Sequence, residues 1–110
     1  MDVSYPEESF DWTYEFMLRV NERVIFPGKI RDTKETMREV RRAINGLNPE
    51  AAIVPDPNHG GNKLIFPIKG KLVTFPFVVT SDRMVVIKTA FYSQGPDIEL
   101  YKSKKNIKHP

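Results

Sequence analysis

Lys88 and Tyr92 have side chains that could hold a phosphate and protonate a leaving oxygen, because one is a cation and the other a phenol. They lie in residues 84–92, an apolar-rich run without Pro or Gly that predicts the central strand of a sheet. Residues an even number apart in a strand share a face, so the two side chains are predicted to lie together on its open face. The opposite face is predicted to be the core side and carries Val85, Ile87, Thr89 and Phe91. The alternative is that Lys88 is a solvated strand lysine and Tyr92 an amphipathic residue closing the sheet.

Histidine and metal chemistry have few candidates, since the chain contains only His59 and His109 and no cysteine. Asp56 and His59 occur in a loop predicted over residues 55–62, where an oxygen and an imidazole could meet a metal ion. A metal site needs three or four convergent ligands, and nothing nearby in the sequence supplies the others. We therefore predict no metal and no cofactor, and His59 remains a candidate general base. No glycine-rich phosphate loop and no nucleophile-elbow motif occurs.

Charge is segregated along the sequence, although the formal net charge is only +3. The first fifteen residues contain five acidic side chains and no basic one, whereas the last ten contain four lysines and no acid. Such a surface can meet a polyanion at its basic end. The alternative is a solvated tail whose lysines only aid solubility. The candidate phosphate-binding cations in these basic stretches are Arg38, Arg42, Lys102, Lys104 and Lys105.

Two helices are predicted in the first half of the chain, each from apolar residues that recur at helical spacing. The first is predicted to open at residues 9–11, and its core-facing stripe consists of Trp12, Phe16, Val20 and Val24. The second is predicted to begin at residue 32, and its stripe consists of Met37, Val40, Ile44 and Leu47.

The second half changes to strand-like periodicity, with a short strand at residues 51–54 and longer runs at 63–69, 72–80 and 84–92. The connections between the longer runs are short enough to make both of them hairpins. Pro67 and Pro76 cannot donate to a ladder, so each is predicted to lie at an edge or a bulge. The predicted fold is one α+β domain, in which two N-terminal helices pack on a three- to four-stranded antiparallel sheet. Residues 1–8 and 97–110 are predicted to be flexible or extended tails.

The N-terminal sequence has no basic and apolar signal-peptide pattern, and the longest apolar runs are far shorter than the roughly 18 residues needed to span a bilayer. Together with the absence of cysteine, this predicts a soluble, cytoplasmic protein without a membrane partner.

Two stretches resemble the barnase/EndoU/colicin/RelE-like group of small ribonuclease toxins, above all its DUF4258-type branch. Residues 13–25 read Thr-Tyr-Glu-Phe-Met-Leu-Arg-Val-Asn-Glu-Arg-Val-Ile, and residues 85–92 read Val-Val-Ile-Lys-Thr-Ala-Phe-Tyr. The branch has His-Ala-x-x-Arg-x-x-x-Arg in its first helix, so Arg19 and Arg23 match its arginines and Glu15 replaces its histidine. Thr89 matches the threonine of its terminal Ile-Thr-x-Tyr strand. The resemblance spans residues 10–93 and implies that RNA is the ligand, with Arg19 and Arg23 on phosphates.

The first functional hypothesis is a metal-independent endoribonuclease. Glu15 or His59 would be the base, Lys88 would hold the phosphate, and Thr89 or Tyr92 would assist proton transfer. Arg19 lies one helical turn from Glu15 and would hold it ionised, so an ion pair between the two is the simpler interpretation.

The second hypothesis is a non-enzymatic binding module of phage or mobile-element type that engages a host protein or nucleic acid. A subunit of a larger assembly cannot be separated from it by sequence. The partners predicted under the two hypotheses are RNA, the ribosome, a cognate antitoxin and a host protein.

Overall fold

The computed structural model describes residues 4–22, 31–58 and 60–105 of the chain. In this part the fold is α+β, with three helices packed against a six-stranded mixed sheet. The elements in chain order are β1 (Phe10–Trp12), α1 (Tyr14–Glu22), α2 (Arg31–Ile44), β2 (Ala52–Pro55), β3 (Asn62–Ile68), β4 (Lys71–Val79), β5 (Val85–Ile87), β6 (Phe91–Tyr92) and α3 (Gly95–Lys104). The predicted class is confirmed. The prediction of an antiparallel sheet of three or four strands is wrong, because β1 was not foreseen and one expected strand is split in two.

The strands are ordered β1–β5–β4–β3–β2, and β6 pairs with β4 on the side that β5 also occupies. The central strand is therefore β4, rather than the predicted strand at residues 84–92. β1 runs parallel to β5, with Phe10 opposite Val85, and the other pairs are antiparallel. A parallel neighbour requires a crossover, so a chain that starts with β1 can pair with β5 only after the rest of the sheet has formed.

Helices α1 and α2 cover one face of the sheet, where Phe16 and Val40 are fully buried against β3 and β4. The ring of Phe16 lies between those of Trp12 and Phe75, with centroid distances of 5.1 and 6.3 Å. Phe66 stacks on Phe75 at 5.3 Å. Apolar burial contributes about 25 cal/mol per Å², so this aromatic cluster is a main source of the free energy of folding.

Helix α3 packs on the opposite face, in the segment predicted to be a tail. Tyr101 is 8% exposed, packs with Ile65 and other apolar residues of β2 and β3, and donates a hydrogen bond to the carbonyl oxygen of Glu50 at 2.6 Å. Burial, with a smaller contribution from the Glu50 charge, raises the pKa of Tyr101. Pro96, which the sequence analysis interpreted as the end of ordered structure, stands in the first turn of α3, where its missing N–H is not needed. The prediction of a tail therefore fails for residues 97–104.

The N-terminal residues that the structure describes are also tied down. The backbone of Tyr5 exchanges two hydrogen bonds with the side chain of Asn45, at 2.8 and 3.0 Å. Glu7–Ser9 form a single 3-10 turn, and the chain then enters β1. The first helix starts at Tyr14, later than predicted, because Phe10 and Trp12 belong to a strand. In the second stripe, Leu47 is 57% exposed because α2 ends at Ile44.

Both hairpin prolines lie where a missing N–H does no harm. A two-residue turn at Lys69 and Gly70, both with positive φ, joins β3 to β4, so the closing pair of residues 68 and 71 is hydrogen-bonded. Counting outward by the antiparallel alternation, Pro67 and Pro76 both fall on non-hydrogen-bonded pairs. Pro67 thus points beyond the end of β2, and Pro76 points at the gap between β5 and β6. The prediction of edge or bulge positions is confirmed.

The run at residues 84–92 is interrupted by a bulge at Lys88–Ala90. Two residues of β4, Phe75 and Pro76, lie between its pairings with β5 and β6, whereas three residues lie between Ile87 and Phe91. One extra residue reverses the alternation beyond the bulge. Ala90 is accordingly buried in the core, whereas Phe91 pairs with Thr74 on the opposite face.

Candidate functional site

The candidate site is a recess of about 320 Å³ on the α3 side of the sheet. Lys63 and Pro76 reach it from β3 and β4, because they share the sheet face opposite the aromatic core. The bulge supplies the remaining wall. The recess is lined by Asp56, Lys63, Pro76, Lys88, Thr89 and Phe91.

A buried polar network lies behind Lys63. Its ammonium contacts Asp97 Oδ1 at 2.8 Å, and Thr74 Oγ1 donates to Asp97 Oδ2 at 3.1 Å. Since the Thr74 proton is directed to the carboxylate, Ser93 Oγ must donate to Thr74 Oγ1 in their 2.8 Å contact. Asp97 and Thr74 are 4% and 0% exposed, so the network fixes the start of α3 to β3 and β4. A carboxylate this deep is tolerated because a cation and hydrogen bonds compensate it.

Lys88 is half-buried and lies at the start of the bulge. Its backbone is held on both sides, because its N–H donates to the Pro76 carbonyl at 2.9 Å and its carbonyl accepts from Thr13 Oγ1 at 2.8 Å. Within the described part of the chain, no carboxylate lies within 4 Å of the Lys88 ammonium. The side chain is therefore a fixed cation in the recess that can meet an anion.

Asp56 closes the recess at the end of β2 and is 3% exposed. Its Oδ1 accepts from the backbone N–H of Asn58 at 3.3 Å, and its own backbone pairs with Gly60 and Gly61. Asp56 thus builds the loop that follows β2, and its carboxylate adds a second negative charge to the wall.

The bulge separates the two side chains that the strand pattern placed together. Lys88 and Thr89 line the same recess, whereas Tyr92 pairs with Val73, whose face packs on α1 and α2. Lys71, which shares that face with Val73, has its ammonium 5.1 Å from the Tyr92 ring centroid. The prediction that Lys88 and Tyr92 share a face is wrong, and so is the prediction that Thr89 and Phe91 lie with the core.

Glu15 and Arg19 form the ion pair expected from their spacing, with Nε and Oε2 3.6 Å apart and both side chains partly exposed. Glu15 does not line the recess. Two other predicted site residues, Arg23 and His59, lie outside the described residues.

The predicted phosphate-binding cations on α2 and α3 do not form one patch. Arg38 is paired with Glu35 at 3.1 Å and with Glu39 at 3.9 Å, and Arg42 donates to the carbonyl of Leu47 at 3.3 Å. Lys105 donates to the carbonyls of Pro49 and Ala51, so it anchors the C-terminal end of α3. Lys102 and Lys104 are exposed on α3.

The sequence analysis missed three residues of this region, namely Lys63, Asp97 and Phe91. Asp97 follows Gly95 and Pro96, a combination that marks the first turn of a helix as well as a chain break. Lys63 and Phe91 carried no signal, because only the pairing of β3, β4 and β6 brings them to one face.

Comparisons with protein-family models, with curated proteins and with solved structures give no match. The resemblance to the toxin group therefore stays a prediction. No helix in the described part of the chain is long and apolar enough to cross a membrane. Among the same residues, no three acidic or histidine side chains come together as a metal-binding group.

Proposed function

We propose that the protein is an RNA-binding module that holds one phosphodiester of a single strand in the recess beside Lys88. The observation that carries the proposal is the half-buried Lys88 ammonium, which has no carboxylate partner in the described part of the chain. A lysine in this position gains a charge-assisted hydrogen bond when a phosphate oxygen reaches it.

The neighbours of Lys88 suit the rest of a nucleotide. Thr89 lines the same recess, and its hydroxyl is a second donor for a phosphate oxygen. Phe91 supplies an aromatic surface, and stacking of a base on such a ring contributes about 1–3 kcal/mol in single-strand binding. The volume of about 320 Å³ holds one nucleotide unit rather than a folded duplex. The RNA-directed character matches what the toxin-group resemblance implies.

Binding without cleavage is favoured over the endoribonuclease hypothesis by the positions of the proton donors and acceptors. Cleavage at the 2′-hydroxyl needs a base and an acid at the same phosphate. Tyr92 lies on the opposite sheet face from Lys88, and Glu15 is paired with Arg19 outside the recess. The recess therefore offers cations and a hydroxyl but no such pair among these candidates.

Fluorescence anisotropy with a labelled single-stranded RNA tests the proposal. Lys88→Met should weaken binding about tenfold and reduce the slope of log K against log salt by about 0.7, the value for one lost phosphate contact on a single strand. Phe91→Leu should weaken binding and leave the salt slope unchanged, because it removes stacking without removing charge.

Lys102→Met is the matched control, since Lys102 is an exposed lysine on α3 outside the recess. It should change affinity by less than twofold. Equal affinity of the wild type and Lys88→Met would overturn the proposal. Incubation of the same RNA with chelator should leave it intact, and cleavage that disappears in Lys88→Met would establish the endoribonuclease hypothesis instead.

A further inference from the structure

The charges in and behind the recess balance. Lys63 and Lys88 contribute two positive charges, and Asp56 and Asp97 contribute two negative ones. Lys63 is already neutralised by its 2.8 Å contact with Asp97, and both side chains are largely buried, at 16% and 5% exposure. A pair this close and this poorly solvated does not release its lysine without leaving an uncompensated carboxylate.

The recess therefore presents one cation, Lys88, and two carboxylates in its surroundings. Each element packed against the site contributes a defined group: Lys63 from β3, Thr74 from β4, Asp97 from α3, Asp56 from the loop after β2, and Lys88 from the bulge. One negative charge on a ligand is matched by Lys88. A second one has no partner and faces the carboxylates in a site where solvent screening is reduced.

We propose that Asp97 sets the charge of the ligand, so that the recess accepts a phosphodiester monoanion and rejects a phosphomonoester dianion. The inference rests on the proposed function, because it concerns the same recess. It makes Asp97 a specificity-determining residue that acts through Lys63, and it restricts the site to internal positions of an RNA strand rather than to its phosphorylated ends.

The dinucleotide UpU and uridine 5′-monophosphate test the proposal when NMR titration measures their dissociation constants with the full chain. At pH 7.5 the diester should bind about tenfold more tightly than the monoester. The second pKa of a phosphomonoester is about 6, so at pH 5 the monoester is largely a monoanion and the preference should close. UpU keeps one negative charge throughout, so any change in its affinity reports titration of the protein.

Asp97→Asn keeps the shape of the side chain and removes its charge, which leaves Lys63 as a second cation for the ligand. In this variant the tenfold preference at pH 7.5 should fall to about twofold or reverse. Thr74→Val is the matched control, because it removes the hydrogen bond to Asp97 and retains every charge. It should destabilise the fold and leave the preference at its wild-type value.

The outcomes separate the two proposals. A wild type that binds UpU and the monoester equally well at pH 7.5 overturns the charge selection and leaves RNA binding standing. A preference that survives in a folded Asp97→Asn variant overturns the role of Asp97. If neither ligand binds and single-stranded RNA does not bind either, the proposed function fails, and the inference fails with it.

Discussion

The hydroxyl of Thr13 donates to the carbonyl oxygen of Lys88 at 2.8 Å and accepts from the N–H of Phe16 at 3.1 Å, although Thr13 and Lys88 are 75 residues apart. One side chain thus caps α1 and holds the bulge that carries the candidate site. The N-cap is a requirement of the helix, because the first N–H groups have no partner within it. The bulge uses the same hydroxyl because its carbonyl has left the ladder of β4.

Thr13→Val should therefore lower the free energy of unfolding by about 2 kcal/mol, the upper range for an N-cap, since it removes both hydrogen bonds. Thr13→Ser keeps the hydroxyl and should lose less than about 0.5 kcal/mol, the range of a near-neutral substitution. Urea denaturation measures both values. A Val variant as stable as the Ser variant would show that the hydroxyl does not hold the bulge.

Gly61 has φ +78°, and a Cβ atom there would lie 2.5 Å from Val78 Cγ1 and 2.6 Å from the Phe77 carbonyl oxygen. Gly61→Ala should cost more than about 3 kcal/mol, because backbone strain is added to a clash with β4. Gly60 is the matched control, since it has φ +74° and a Cβ atom added there would meet no other atom within 4 Å. Gly60→Ala should cost about 1 kcal/mol from strain alone. Thermal unfolding that ranks the two variants equally would contradict the close approach.

The Lys63–Asp97 pair should show strong coupling in a double-mutant cycle. Asp97→Ala leaves a largely buried lysine without its partner and should cost about 3 kcal/mol. The double variant Lys63→Met, Asp97→Leu should recover most of that loss, because no uncompensated charge remains. The exposed pair of Glu35 and Arg38 is the comparison, and Glu35→Gln should change stability by less than about 1 kcal/mol. Additive single and double losses at Lys63 and Asp97 would refute the coupling.

Tyr101 should make the fold sensitive to alkaline pH. Its pKa is raised in the folded state by burial and by Glu50, so the folded chain keeps a proton that the unfolded chain releases. The stability from this group is complete below tyrosine's usual pKa of about 10 and is lost as pH rises through the higher folded value. Urea denaturation between pH 9 and pH 11 should show a steeper decline for the wild type than for Tyr101→Phe.

Tyr14→Phe provides the control for that measurement, since Tyr14 is 79% exposed. It should retain the wild-type decline with pH. A Tyr101→Phe variant that declines as steeply as the wild type would show that the alkaline sensitivity arises elsewhere in the chain.

Local patterns in the sequence predicted the local features of the fold. The i, i+4 stripe places Phe16, Val20 and Val40 in the core, and each is at most 3% exposed. The strand runs at residues 51–54, 63–69 and 72–80 correspond to β2, β3 and β4, and both hairpins form. These features follow from the side-chain period and from turn chemistry, which act over a few residues.

The bulge could not be predicted from the alternation, because a strict period of two was assumed across Lys88–Ala90. A single extra residue moves every later side chain to the other face, and nothing in the run 84–92 marks it. Pro76 was the one available sign, since a proline in a central strand requires a gap in the ladder beside it.

The sequence by itself determined the α+β class, the aromatic core and the positions of the prolines, because each depends on neighbours along the chain. Only the tertiary structure decided the site. Lys63, Lys88 and Asp97 come from three distant segments, and they meet because β4 pairs with β3 on one side and with β5 and β6 on the other while α3 packs over that face. Contacts of this kind depend on the pairing of whole strands, a cooperative choice that no local pattern encodes.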